Sequence, residues 1–192
     1  MRVSAEEFAQ LELRAHSLLA EVPLHDAWAV DLEGGARELT VLELRELLSM
    51  DKLMAANPAV RLLFGLRRWL GRLFRWDRAR AIPPKQSFQS RLSKADLEKS
   101  LLPPGTLDGP FRLLLASSHE TISEVVNPTV HAFSVVALAE RAAGYRLYLG
   151  IYVLPVGRIT GWYMRLIDPF RRLIIYPAML RQIRTSWSAA AT

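Results

Sequence analysis

The sequence contains no cysteine. That excludes disulfides, thiol nucleophiles, iron–sulfur clusters and cysteine zinc sites together. It also lacks a long hydrophobic run. The best candidate, 147–157, is closed by Arg146 and Arg158, whereas a membrane-spanning helix needs about 20 apolar residues. The first twenty residues carry Glu6, Glu7, Glu12 and Arg14 without an apolar core, so no secretory signal is expected. Glycine-rich phosphate motifs are missing: Gly34-Gly35 is not followed by the Lys-Ser/Thr of a P-loop, and no Gly-x-Gly-x-x-Gly occurs. Ser117-Ser118-His119 lacks the glycines of a nucleophile elbow. The expected compartment is the cytoplasm, with peripheral membrane association as a variant of it.

What remains suits one domain. The chain has 192 residues, 51% hydrophobic and 23% charged, which is too apolar for a disordered chain and long enough to bury a core. The net charge is +6.

Ser4-Ala5-Glu6-Glu7 reads as a capping box opening a helix to about Ala20. Trp28, Val30 and Leu32 alternate with polar or small neighbours, as in a strand, and Gly34-Gly35 follows as a turn. Thr40-Val41-Leu42-Glu43 is a second capping box, opening a helix over 42–53. Asn57-Pro58 starts another over 58–76, with Arg61, Arg68, Arg72 and Arg75 opposite Leu62, Leu66, Trp69, Leu70 and Leu73. The stretch 78–110 is broken by Pro83-Pro84, Pro103-Pro104-Gly105 and Asp108-Gly109-Pro110 around one short helix from Ser93 to Leu101; an irregular connection this long suits a lid. Period-two segments follow at 111–117, 120–126, 130–139 and 146–154. Their short connections imply antiparallel neighbours. In the last, Leu147, Leu149, Ile151 and Val153 point one way. A long C-terminal helix closes the chain, with Ile159, Trp162, Tyr163, Leu166, Phe170, Leu173, Ile174 and Leu180 in one stripe. Asp168 can pair with Arg165 or Arg172, and Pro177 is expected to bend or break the helix.

This order resembles the helix-grip fold of the START and polyketide-cyclase-like (SRPBCC) superfamily. The segments Asn127-Pro128-Thr129-Val130-His131-Ala132-Phe133-Ser134 and Tyr163-Met164-Arg165-Leu166-Ile167-Asp168-Pro169-Phe170-Arg171-Arg172-Leu173-Ile174-Ile175-Tyr176-Pro177 resemble the bacterial family known as domain of unknown function 2867. The likeness covers roughly 24–187. It implies an α+β fold in one helix-grip domain over 1–192, with a helical extension at 1–22. A curved antiparallel sheet would wrap the last helix and leave an apolar cavity. The family supplies no catalytic residues to carry over.

The leading expectation is therefore a binding protein for a small apolar molecule or lipid, with no cofactor. The expected wall is His131, Phe133, Leu149, Ile151, Trp162, Tyr163, Leu166 and Phe170. The alternative is a cyclase- or isomerase-like enzyme in the same cavity, using His131 or one of Glu120 and Glu124. A solvated strand face explains those two glutamates as well, and is the preferred expectation, because Glu is rarely buried. A third reading is an anionic membrane surface met by the Arg/Trp helix 58–76, although Trp on its apolar side also marks ordinary core. No metal site is expected, because the four histidines, His16, His25, His119 and His131, lack zincin spacing. Nucleic-acid binding ranks last, for want of a motif.

Overall fold

A computed structural model describes residues 1–34, 40–42, 58, 61, 65, 87–108, 110–127 and 129–190. The expected helices over 42–53 and 58–76, and the start of the connection at 78–86, lie outside them apart from single positions.

Helices α1 (Ala5–Ala9) and α2 (Arg14–Leu18) precede strand β1 (Leu24–Glu33). A 3₁₀ turn (Phe88–Arg91), helix α3 (Lys94–Lys99) and strand β2 (Leu107–Asp108) lead into β3 (Phe111–Ala116), β4 (Glu120–Val126), β5 (His131–Arg141) and β6 (Gly144–Leu154). Helix α4 (Arg158–Phe170) runs through a π-helical turn (Arg171–Ile175) into α5 (Tyr176–Ala190). The strands form one antiparallel sheet in the order β1-β6-β5-β4-β3-β2. The meander from β2 to β6 is thus closed on its open edge by the first strand. At the β5–β6 turn only glycine fits: Gly144 has φ 143°, and a Cβ there would lie 2.2 Å from the Leu32 carbonyl oxygen.

Residues opposite each other in neighbouring strands share a face, so the register divides the sheet into two sides. Ile122, Val135, Gly150 and Ala27 form a row on one side; Thr121, Val136, Leu149 and Trp28 form a row on the other. The second side receives the C-terminal helix. Trp28, Leu147, Leu149, Ile151 and Val153 form one core there with Tyr163, Met164, Tyr176, Leu180, Ile183 and Trp187. The odd positions of β6 therefore face the last helix, as the alternation predicts.

The first side has its own cover. Phe8, Ala15, Leu18, Leu19, Val22 and Phe88 pack there on Phe133, Val135, Tyr148 and Tyr152. Residues 1–22 are thus one lid of a two-sided core rather than an appended extension. They also form two helices instead of one, with the break at Gln10–Leu13. Ser4 caps α1 by accepting from the Glu7 amide at 3.1 Å. Glu7 does not return the bond: its carboxylate accepts from the Tyr148 hydroxyl at 3.1 Å and pairs with Arg146 at 3.1 Å. The tertiary ion pair outcompetes the local box.

Of the two outcomes expected at Pro177, a bend or a break, the break does not occur: α5 begins at Tyr176 and continues through the proline. The π-helical turn lies directly ahead, and a wider turn leaves room for a ring that crowds the turn before it. Nor is the apolar stripe uniformly core. Tyr163 and Met164 are buried, but Trp162 is 74% exposed and Leu173 77%, and Ile159, Leu166 and Phe170 are also exposed.

Candidate functional site

The densest group of ionisable side chains in contact with the last helix sits where β1 meets the π-helical turn. It begins with an irregularity in β1. Leu24 pairs with Tyr152 but Asp26 pairs with Ile151, so His25 is an extra residue in the strand. In a regular strand, consecutive side chains point to opposite faces; a bulge re-aims one of them. Here both reach the same group. His25 Nε2 lies 2.8 Å from Asp168 Oδ2 in α4 and 3.7 Å from Asp26 Oδ2.

The π-helical turn supplies the counter-charges. Arg171 Nη1 donates to Asp168 Oδ1 at 3.1 Å, and its other terminal nitrogen donates to the Tyr176 hydroxyl. Arg172 Nε is 3.1 Å from Asp26 Oδ1, and its Nη2 is 3.7 Å from Asp168 Oδ2. Arg2 reaches Asp26 at 3.7 Å from the N-terminus. Asp168 therefore pairs with Arg172, as expected, but not with Arg165, which lies over the Trp162 ring. Burial pushes the Tyr176 hydroxyl up to about 12, helped by the Asp26 and Asp168 charges and opposed by Arg171. It stays a neutral phenol at any physiological pH. Its ring packs on Trp28, with centroids 5.1 Å apart.

The cluster is incompletely satisfied. Asp26 is 2% exposed and ion-paired, yet neither its carboxylate oxygens nor the Arg172 Nε–H 3.1 Å away makes a hydrogen bond. The buried Trp28 Nε1, on the same strand face two residues along, has no partner either. Asp26 is thus held by ion pairs rather than by aligned hydrogen bonds, and Trp28 Nε1 is a further buried donor without a hydrogen bond. Native proteins pair such groups with protein, water or ligand. His25, Asp26 and Asp168 also bring one imidazole and two carboxylates within 4.8 Å of one another. The donor types suit a divalent cation. Arg171 and Arg172, however, already place positive charge on the same carboxylates, and a cation would meet that repulsion.

The expected wall residues fall into three groups. Leu149 and Ile151 are buried on the helix side, directly opposite Trp28 and Asp26 in the register, and Tyr163 is buried in the same core. His131 and Phe133 do not join them. They pair with Leu154 and Tyr152, on the other side of the sheet. The sequence alternation of β5 is correct, but only strand pairing decides which parity meets the last helix. Trp162, Leu166 and Phe170 line no interior between helix and sheet, since they face outward.

The far side has its own buried polar groups, and they are structural clamps. Glu124 accepts from the Ser87 hydroxyl and from the Phe88 amide at 3.1 Å, and lies 3.2 Å from His131 Nε2. It fastens the 3₁₀ turn to the sheet, with Phe88 stacked near Phe133 and His131. The described part of the 78–110 connection therefore covers the side away from the last helix and is no lid over Trp162. Glu120 accepts from the Arg14 and Ala15 amides at 2.7 and 3.2 Å, capping α2. Both glutamates are buried, which corrects the expectation of a solvated strand face; each buried charge is matched by backbone donors.

Sequence reasoning missed His25, Asp26, Arg171 and Tyr176 as site residues. The signal for them in the sequence is the run from Asp168 to Tyr176, which sets one carboxylate, two guanidinium groups and a phenol within nine residues.

The described residues define an α+β domain: one six-stranded antiparallel sheet, a long C-terminal helix on one face, and an ionic cluster between them. The chain belongs to the protein family of unknown function DUF2867, whose family model matches residues 18–178. His25, Asp26, Asp168, Arg171, Arg172 and Tyr176 lie within the match, and Arg2 lies outside it. No curated protein and no solved structure matches the chain. No helix among the described residues is long and apolar enough to cross a membrane.

Proposed function

We propose that this chain is a helix-grip domain that binds a small molecule between β1 and the π-helical turn. The head of that molecule both donates and accepts hydrogen bonds. The observation that supports the reading is a set of buried polar atoms without a hydrogen bond on β1 and the π-helical turn: the two acceptor oxygens of Asp26 and the donor Arg172 Nε, joined only by an ion pair, and the donor Trp28 Nε1 two residues along the strand. A hydroxyl- or amide-bearing head satisfies both kinds. Leu149, Ile151 and Tyr163, in the adjoining core, then meet the apolar body, so burial supplies affinity and the polar atoms supply orientation. This keeps a small apolar molecule or lipid as the ligand class but moves its polar end to the cluster.

Native mass spectrometry of the full chain, freshly purified, is the direct test, together with titration of anilinonaphthalene sulfonate. A bound small molecule is expected on the wild type and lost on Trp28→Phe, which keeps an aromatic ring but removes the donor. The dye is expected to bind several-fold more weakly to the same variant. Wild-type protein with neither adduct nor dye binding overturns the reading, and trapped water then accounts for the unpaired atoms.

An enzymatic reading of the same site rests on the His25–Asp168 pair at 2.8 Å. A carboxylate that holds one imidazole nitrogen prepares the other for proton transfer. Turnover of the co-purified molecule by wild type but not by His25→Gln separates catalysis from binding.

A further inference from the structure

Helix α4 and the π-helical turn that follows it carry a second apolar stripe beside the one that packs on the sheet. Ile159, Trp162, Leu166, Phe170 and Leu173 follow one another at intervals of three, four, four and three residues, and all five are exposed. Such spacing keeps them on one face, over a length of about 21 Å. The helix has therefore solved its burial problem once, with Tyr163 and Met164, and still presents a row of large apolar side chains. Single exposed apolar residues are normal; a contiguous row headed by Trp marks an interaction surface.

Charge decides the partner. From 158 to 190 the sequence has six Arg and one acidic residue, Asp168, and Asp168 is held by His25, Arg171 and Arg172. Arg165 borders the stripe directly, its guanidinium 5.9 Å from the Trp162 ring centroid. A second copy docked on this face would bring Arg against Arg. Nucleic acid leaves the apolar row without a counterpart. An anionic lipid surface answers both features: acyl chains take Leu166, Phe170 and Ile159, indole sits at the headgroup level, and guanidinium meets phosphate. We propose that the exposed Ile159–Trp162–Leu166–Phe170–Leu173 face of the last helix is a peripheral docking surface for anionic membranes. This differs from the membrane expectation attached to 58–76, because it rests on a different helix. It is also independent of any ligand at the His25–Asp168 cluster.

Co-sedimentation of the full chain with vesicles of equimolar phosphatidylglycerol and phosphatidylcholine tests it. Wild-type protein is expected to sediment at low salt and to be released as salt rises, and to ignore vesicles of phosphatidylcholine alone. Trp162→Glu with Leu166→Glu should weaken binding tenfold or more at an unchanged melting temperature, since both residues are exposed. Arg165→Glu should weaken it less and reduce its salt sensitivity. Wild-type protein that stays in the supernatant overturns the proposal, as does a Trp162/Leu166 variant that binds like wild type. Light scattering that shows a wild-type dimer split by Leu166→Glu, without vesicle binding, assigns the face to a second copy instead.

Discussion

His25 and Asp168 lie 143 residues apart in sequence and 2.8 Å apart in space, and the contact exists because β1 carries one residue more than its partner strand at that point. Without the extra residue, His25 and Asp26 would point to opposite sides of the sheet, and only Asp26 would face the last helix. The bulge and the π-helical turn are thus two local departures from regular geometry that meet at one cluster. Such departures concentrate at functional sites.

Asp26 should depend on its cation. Arg172→Gln leaves the buried carboxylate with the Arg2 guanidinium at 3.7 Å as its remaining cation and the His25 ring at 3.7 Å beside it. Removing one partner of a buried pair costs about 3 kcal/mol. Asp26→Asn combined with Arg172→Gln is expected to recover part of that loss, because no unpaired charge is left. Urea denaturation of the single and double variants checks this; a double variant less stable than the sum of the singles contradicts the pairing.

Leu149→Asp is expected to abolish soluble folding. Leu149 is buried between Trp28 and Val136 on the helix side, where no described cation stands ready for a carboxylate. A charge buried there is worth more than about 4 kcal/mol of destabilisation. Soluble yield and a thermal melt read the outcome, and wild-type-like melting would mean that β6 presents its other parity to the helix.

Gly150 and Phe8 form a lock across the other side. A Cβ on Gly150 would come within 2.5 Å of Phe8 Cζ, at the centre of β6. Gly150→Ala is therefore expected to displace a fully buried ring and cost about 2 kcal/mol. Phe8→Leu in the same chain should relieve the clash, so the two changes together cost less than their sum. Chemical denaturation of the cycle gives the coupling; strict additivity rules out the contact.

Two carboxyls should push the pH dependence of stability in opposite directions. Burial raises Glu120 above its ordinary 4.5. A raised folded value means that the folded state takes the proton first, so stability rises as pH falls through that raised value toward 4.5. Asp96 behaves oppositely: the hydrogen-bonded Arg14 guanidinium holds it well below its ordinary 3.8. Its contribution is present above 3.8 and is lost as pH falls below that value toward the depressed one. Thermal melts across acid pH should show Glu120→Gln losing the rise on mild acidification. Asp96→Asn should soften the fall at lower pH. A Glu120→Gln profile parallel to wild type contradicts the buried, ionisable glutamate.

Local periodicity was enough to place β4, β5 and β6 within a few residues, to orient Leu147, Leu149, Ile151 and Val153, and to find the long closing helix. Those features depend on the alternation of adjacent side chains or on the three-to-four spacing of a helix, both of which are written along the chain. The side of the sheet on which His131 and Phe133 lie depends instead on which residue of β5 pairs with which of β6. The convergence of His25 with Asp26 depends on a bulge that composition does not announce. The exposure of Trp162, Leu166 and Phe170 depends on how the helix is rotated against the sheet, which the packing of Tyr163, Met164 and Tyr176 decides. Glu120 and Glu124 look like surface residues until the backbone amides of residues 14, 15 and 88 arrive to donate hydrogen bonds to their carboxylates. Each of these is decided by packing or pairing between segments distant in sequence, and that free energy comes into being only when the tertiary fold brings the segments together.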